Sequence, residues 1–142
     1  MFFGTYEHNL DAKNRISLPT RLRSNIGDEI VVSKGFDGCL ELRTVEEFNI
    51  YAGKLSQLPT NHRDSRVVLR QIFGNAFNIQ IDKANRILIP PNLLAEAKLK
   101  KSVTFVGAGR HIEIWDTESF AAFKQETDKT FESVAENLVK HE

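Results

Sequence analysis

Apolar and polar residues alternate in short stretches along this chain, and the same order of stretches occurs twice. Tyr6-Glu7-His8-Asn9-Leu10 and Phe77-Asn78-Ile79-Gln80-Ile81 each read as a half-buried strand. A polar loop follows in both places, and the apolar pairs Ile16, Leu18 and Ile87, Ile89 then resume a strand, so each unit predicts a hairpin. Pro19 and Pro90 stop that second strand and suit the first turn of a short helix, predicted over 19–25 and 90–97. Two further strands follow in each half, 30–33 with 39–43 and 103–106 with 112–115, joined by the turns Gly35-Phe36-Asp37-Gly38 and Gly107-Ala108-Gly109. Thr44-Val45-Glu46-Glu47 has capping-box spacing and opens a helix toward Leu58. Asp116-Thr117 starts another, predicted as one helix to about Lys140, and a third runs over 61–73 to a stop at Gly74.

Superposing the two halves makes the repetition explicit. Asp11-Ala12-Lys13-Asn14-Arg15-Ile16-Ser17-Leu18-Pro19 aligns with Asp82-Lys83-Ala84-Asn85-Arg86-Ile87-Leu88-Ile89-Pro90 at an offset of 71, and Leu40-Glu41-Leu42-Arg43 aligns with Ile112-Glu113-Ile114-Trp115 at 72. Phe48 and Phe120 correspond at the same offset and anchor their helices, with Trp115 where the last strand meets the final helix. A period this long with two copies is no solenoid; two units sharing one core is the better account. The expected organisation is a first repeat over 1–60, a connecting helix over 61–74, and a second repeat with a C-terminal helix over 75–142, in an α+β, β-rich, pseudo-twofold fold. Asn14 and Asn85 occupy the bend of each repeated loop, where a residue tolerant of positive φ is needed.

Composition narrows the function classes. An apolar fraction of 41% with charge spread along the chain predicts an ordered protein. No apolar run approaches the ~20 residues of a membrane span, the N-terminus lacks a leader pattern, and one cysteine excludes an intrachain disulfide, so a cytoplasmic protein is expected. The net charge of zero hides an asymmetry: residues 116–142 hold seven acids against three lysines, leaving 16 bases against 12 acids before them. Lys13, Arg15, Arg21 and Arg23 fall within eleven residues free of acid, a local basic patch of the kind a nucleic acid attracts.

The opening Met1-Phe2, Gly4, Tyr6, His8, Asp11, Lys13, Arg15 and Pro19 resembles the start of the MraZ family, regulators associated with bacterial division and cell-wall gene clusters and related to AbrB-type DNA-binding proteins. Asp82, Arg86, Pro90, Leu93, Ala97, Gly107 and Glu113-Ile114-Trp115 extend the resemblance over nearly the whole chain. It implies a swapped-hairpin, double-psi-type β-barrel formed by two repeats of one chain. It also implies ring-like homo-oligomers, nucleoid association, and binding to repeated boxes in double-stranded promoter DNA of the division and cell-wall cluster, including the protein's own operon. The motif arginine, here Arg15 and Arg86, is then a DNA contact. Two positions depart from the family: Asn14 and Asn85 replace a common glycine, and Leu94 stands where second repeats carry the arginine that survives as Arg23 in the first.

Arginine suits this task because its five N–H donors serve both phosphates and base edges. Lys13 and Lys83 would hold phosphates as compact charges, with Asp11 and Asp82 pinning each loop and orienting its guanidinium. A plainer reading of Asp-x-x-x-Arg is an ion pair that stabilises a hairpin, and both readings can hold together. Arg21 and Arg23 divide between DNA contact and solvated surface, while Arg63, Arg66 and Arg70 at helical spacing suit subunit interfaces or internal acid pairing. An enzyme built on Asp11 and Asp82 as a carboxylate pair lacks an Asp-Thr-Gly signature, and the arginines would keep both ionised. Cys39 reads as a small buried residue, and His8, His62, His111 and His141 lack a partner at metal spacing. No metal, cofactor or small-molecule substrate is expected. The remaining alternative is a non-enzymatic interaction or assembly barrel whose acidic final helix docks a partner.

Overall fold

In the computed structural model, residues 1–140 are described; His141 and Glu142, counted above among the histidines and the acidic tail, lie outside the described residues. The elements run β1 (Thr5–Asn9), β2 (Arg15–Ser17), α1 (Thr20–Arg23), β3 (Glu29–Lys34), β4 (Leu40–Thr44), α2 (Val45–Leu55) and α3 (Arg63–Phe73). They continue as β5 (Ala76–Gln80), β6 (Arg86–Leu88), α4 (Pro91–Glu96), β7 (Ser102–Gly107), β8 (Ile112–Asp116), α5 (Thr117–Asp128) and α6 (Phe131–Lys140). The strands and short helices fall where alternation and proline placed them, within a residue or two at their ends.

Pairing departs from the hairpin expectation. The chain does reverse at each loop, through Asp11 N–H donating to Arg15 C=O at 2.8 Å and Asp82 N–H to Arg86 C=O at 3.0 Å. The flanking strands then part company. β1 pairs antiparallel with β7, β5 with β3, and β2 with β6, so every one of these strands takes its partner from the other repeat. The result is an open six-stranded antiparallel sheet in the order β1-β7-β8-β4-β3-β5, plus a two-stranded ribbon β2-β6; neither closes on itself among the described residues. Exchanging the repeats reverses the strand order onto itself, which places the pseudo-twofold axis between β4 and β8 and through the Ile16–Ile87 pair of the ribbon.

The core lies between the ribbon and one face of the large sheet. Ile16, Leu18, Ile87 and Ile89 meet Ile30, Val32, Leu40, Leu42, Val103, Phe105, Ile112 and Ile114, with Leu22 of α1 and Leu93 of α4 completing the cluster. Strand alternation sends the intervening residues to the opposite face, where α2 and α3 lie over β3 and β4 and α5 over β7 and β8. That second face is buried yet polar, carrying Ser33, Glu41, Arg43 and Thr104.

Helix ends follow local chemistry. Thr44 Oγ1 accepts from Glu47 N–H at 3.1 Å, and Asp116 Oδ2 accepts from Ser119 N–H at 3.1 Å, side-chain caps that satisfy otherwise orphaned amides. Phe48 meets Phe73 edge-on at 6.4 Å between ring centres, and Trp115 lies 5.3 Å from Phe120 and 5.2 Å from Phe123. The single C-terminal helix expected over 116–140 is instead two, divided at Lys129 and Thr130. Thr127 Oγ1 donates back to Phe123 C=O at 3.0 Å, a side-chain competition that bends helices, and Thr130 N–H bonds Thr127 C=O in a tight turn. Beyond the break, α6 leaves Phe131, Val134 and Leu138 exposed.

Candidate nucleic-acid interface

The repeated loops are two copies of one bracket. In the first, Asp11 Oδ1 accepts from the amides of Lys13 and Arg15, both at 2.9 Å, while Oδ2 accepts from Arg15 Nε at 2.7 Å. In the second, Asp82 Oδ1 accepts from Ala84 N–H at 2.8 Å and Arg86 N–H at 2.9 Å, with Oδ2 accepting from Arg86 Nε at 2.9 Å. The bend needs a left-handed residue, and both Asn14 and Asn85 sit at φ 60°, where asparagine is the best tolerated residue after glycine.

These bonds answer the question of orientation. Each aspartate holds its arginine by Nε, which leaves the terminal Nη groups of a partly exposed guanidinium outside that hydrogen bond. Both carboxylates are held below the usual aspartate range, first by the arginine amide they accept from and then by their other loop bonds. They are therefore ionised and individually tethered, an arrangement opposed to the shared proton of a catalytic carboxylate pair.

Cross-repeat pairing sets the two brackets side by side. Ile89 N–H donates to Asn14 C=O at 3.1 Å and Leu18 N–H to Asn85 C=O at 2.9 Å, each loop thus receiving a bond from the other repeat's strand. Arg86 Nη1 approaches Asp11 Oδ2 at 4.0 Å. Lys13 and Lys83 are exposed on these loops, as is Arg21 on α1.

Arg23 is placed differently. Its Nε donates to Asn85 Oδ1 at 3.1 Å, and Nη1 donates to the Ile26 carbonyl at 2.5 Å and the Gly27 carbonyl at 3.3 Å. A first-repeat arginine therefore braces the second-repeat loop. The corresponding Leu94 packs against the core and offers Asn14 no such bond, so the symmetry of the brackets is broken at the braces. Of the helical arginines, Arg66 donates to Thr60 C=O at 3.0 Å, and Arg63 and Arg70 are exposed.

Two basic residues near the first loop were not singled out from sequence. Lys100 and Lys101 line a groove with Leu10, Asp11 and Asn14, brought there by β1–β7 pairing and the Leu10 N–H bond to Lys101 C=O at 2.8 Å. Lys100 is engaged by Glu118 at 3.2 Å and Asp116 at 3.7 Å. The run Lys98, Lys100, Lys101 was the only signal available, and nothing in it points to a loop some ninety residues earlier.

Elsewhere one of the histidines, which sequence spacing left without a metal-binding partner, has acidic neighbours in space. His111 Nε2 stands 3.7 Å from Glu113 and 3.9 Å from Glu41, and Cys39, Glu41 and Glu113 bring their ligand atoms within 4.8 Å of one another. Spacing missed this because two i, i+2 pairs far apart in sequence face each other across β4 and β8. Cys39 is buried, as expected. No described helix is long and apolar enough to cross a membrane.

Comparison with known proteins covers the whole chain. The family described as "MraZ protein, putative antitoxin-like" matches twice, over residues 1–71 and 72–142. A transcriptional regulator MraZ of Mycoplasmoides gallisepticum is 45% identical over 138 residues, spanning 97% of each chain. Proteins of that name from Thermoanaerobacter pseudethanolicus, 41% identical, and Mesoplasma florum, 40% identical, align over 97% of this chain and 96% and 95% of their own.

Proposed function

The chain belongs to the MraZ family, and from that premise we propose that it is a non-enzymatic transcriptional regulator that binds double-stranded promoter DNA through its two repeated loops. The observation that carries this is the pair of matching Asp–Arg brackets set side by side, each with a partly exposed guanidinium whose Nε alone is used by its aspartate. The names of its relatives, transcriptional regulators, agree with it.

Roles divide by what each side chain is free to do. Arg15 and Arg86 contact the DNA, with Lys13, Lys83 and the exposed Arg21 supplying phosphate contacts. Asp11, Asn14, Asp82 and Asn85 orient the loops. Arg23, proposed from sequence as a contact, acts first as the brace of the second loop. The cross-repeat ribbon supports reading the two repeats, with α3 between them, as the swapped-hairpin, double-psi-type unit of AbrB relatives built within one chain.

Two small loops neutralise few phosphates, so a single chain binds weakly. A ring-like homo-oligomer repeating the loops along successive promoter boxes of a division and cell-wall operon, its own included, gains affinity by avidity and works at the nucleoid. The exposed Met1, Phe3 and the apolar stripe of α6 are surfaces that such an assembly would cover.

The test is a gel-shift titration against DNA from upstream of the protein's own gene at two salt concentrations, with Arg15→Ala and Arg86→Ala beside the wild type. Specific, salt-sensitive binding that both variants lose while keeping their oligomeric state is the expected result. Binding indifferent to both arginines would reduce the brackets to structural turns and favour the interaction-barrel alternative.

A further inference from the structure

On the polar face of the sheet, away from the repeated loops, one patch collects every buried side-chain oxygen or nitrogen without a hydrogen-bond partner among the described residues: Ser33 Oγ, Glu41 Oε1, Arg43 Nη1, Tyr51 Oη and His111 Nε2. Buried polar groups are satisfied almost everywhere in folded proteins; here Glu41 Oε1 and Arg43 Nη1 have each other as an ion pair at 2.8 Å, and what the patch has in common is a buried carboxylate with little hydrogen bonding. Register supplies the layout. Glu41 lies directly opposite Glu113 across β4 and β8, and Ser33 lies opposite Glu41 across β3 and β4. The pseudo-twofold axis runs through the patch: Glu113 is the repeat counterpart of Glu41, and His111 that of Cys39, at the offset of 72.

Two carboxylates facing each other on adjacent strands repel, and burial amplifies the cost. Arg43 Nη1 stands 2.8 Å from Glu41 Oε1, close enough to pair but not aligned as a hydrogen bond, and its guanidinium is also drawn over the Tyr51 ring at 3.7 Å. Trp115 Nε1 donates to Glu113 Oε1 at 3.0 Å, without charge. The other group that can offset charge here is His111, whose Nε2 stands 3.7 Å from Glu113 and 3.9 Å from Glu41 and pairs with them when protonated. The Cys39 thiol is buried beside both carboxylates and donates to the Phe36 carbonyl at 3.2 Å. With His111 neutral, two carboxylates, one thiolate, Arg43 and a divalent cation sum to neutrality.

We propose that Cys39 Sγ, Glu41 and Glu113 form a binding site for a thiophilic divalent metal ion, Zn(II) in class, that joins the two repeats across the pseudo-twofold axis. On binding, the Cys39 S–H gives its proton to solvent and a sulfur–metal bond forms, with no change of oxidation state. Their ligand atoms, all within 4.8 Å of one another, need only draw in slightly to reach the roughly 2.0–2.3 Å bonds of zinc. The mixed sulfur and oxygen set selects zinc-like ions over magnesium or calcium, which take oxygen alone. His111 is a positioning residue whose Nε2 lies between the two carboxylates. Gly35 makes the room: a Cβ there would stand 2.8 Å from Glu41 Cγ and 3.0 Å from Cys39 Sγ, so the loop passes over the site only as glycine.

The chain has one cysteine, which makes the test direct. Reduced, metal-free protein is titrated with Co(II) under anaerobic conditions and followed by absorption. The expected result is one Co(II) per chain with a thiolate-to-cobalt charge-transfer band, displaced by Zn(II) and absent in Cys39→Ser. Glu113→Gln and His111→Ala are expected to weaken binding by roughly tenfold or more. Wild-type protein that takes up no Co(II), or takes it up without the thiolate band, overturns the proposal regardless of how any variant folds. Zn(II) but not Mg(II) should also raise Tm with concentration, as mass action requires of a ligand that binds the folded state. An unchanged Tm at saturating Zn(II) counts against the site.

Discussion

Asn14 and Asn85 hold φ at 60°, a conformation that disfavours a residue with a branched Cβ by about 1–2 kcal/mol. Asn85→Val is therefore expected to lower stability by about that amount and to lower DNA affinity with it, whereas Asn85→Gly keeps the bend. Chemical denaturation beside a binding titration checks both, and an Asn85→Val protein as stable as the wild type would remove the conformational argument. Asp11 and Asp82 add a pH dependence with a definite sign. Their folded pKa values lie below the ordinary 3.8, so the order they lend the loops is complete above that value and is lost as pH falls through the lowered one. NMR signals of the Arg15 and Arg86 Nε–H groups should persist to pH values below 3.8 and then broaden. Loss at or above the ordinary value would mean the brackets do not hold in solution. On the DNA side, Lys83→Ala is expected to weaken binding to all sequences alike and reduce the salt slope by about 1, while Arg86→Ala costs about 1–3 kcal/mol and relaxes specificity.

The ribbon formed by β2 and β6 is three residues on each side, yet it carries both brackets. Its stability comes from burial: Ile16 and Ile87 sit opposite one another and are almost wholly enclosed. Ile87→Ala should cost about 2–5 kcal/mol, as large-to-small core changes do, and it should disorder both loops rather than one. Hydrogen exchange at Asn14 and Asn85 would reveal this, and protection lost only in the second repeat would contradict the cross-repeat arrangement. Capping acts more locally. Thr44→Ala removes the Oγ1 acceptor for Glu47 N–H and should destabilise by about 1 kcal/mol, leaving DNA affinity unchanged at temperatures where the fold is intact.

At the scale of the whole molecule, the two repeats interlock. β1, β2 and β3 all pair with strands of the other half, so a fragment of residues 1–71 leaves their backbone donors and the lower face of the core uncovered. Such a fragment should be unfolded or should pair with a second copy, as judged by circular dichroism and sedimentation; a folded monomer would refute this. The same interlocking explains why Arg23 in one repeat braces Asn85 in the other, and why the substitution of Leu94 at the equivalent position leaves the first loop without its counterpart.

The sequence by itself determined what local patterning can encode. Alternation placed eight strands, Pro19 and Pro90 started the short helices, the Thr44 and Asp116 caps started the long ones, and the repeated Asp-x-x-x-Arg marked both loops, because each depends on residues a few positions apart. Partner choice lay beyond it. An alternating strand declares which of its faces is apolar and not which strand lies beside it, so the hairpin expectation gave way to pairing between repeats. The break before α6 falls at Lys129 and Thr130, where neither proline nor glycine marks it in the sequence. Lys100 beside the first loop, Arg23 on Asn85, and the meeting of Cys39 with Glu41, His111 and Glu113 were likewise decided only in three dimensions. Each joins residues that chain connectivity leaves far apart, and the burial of one shared core is what brings them together.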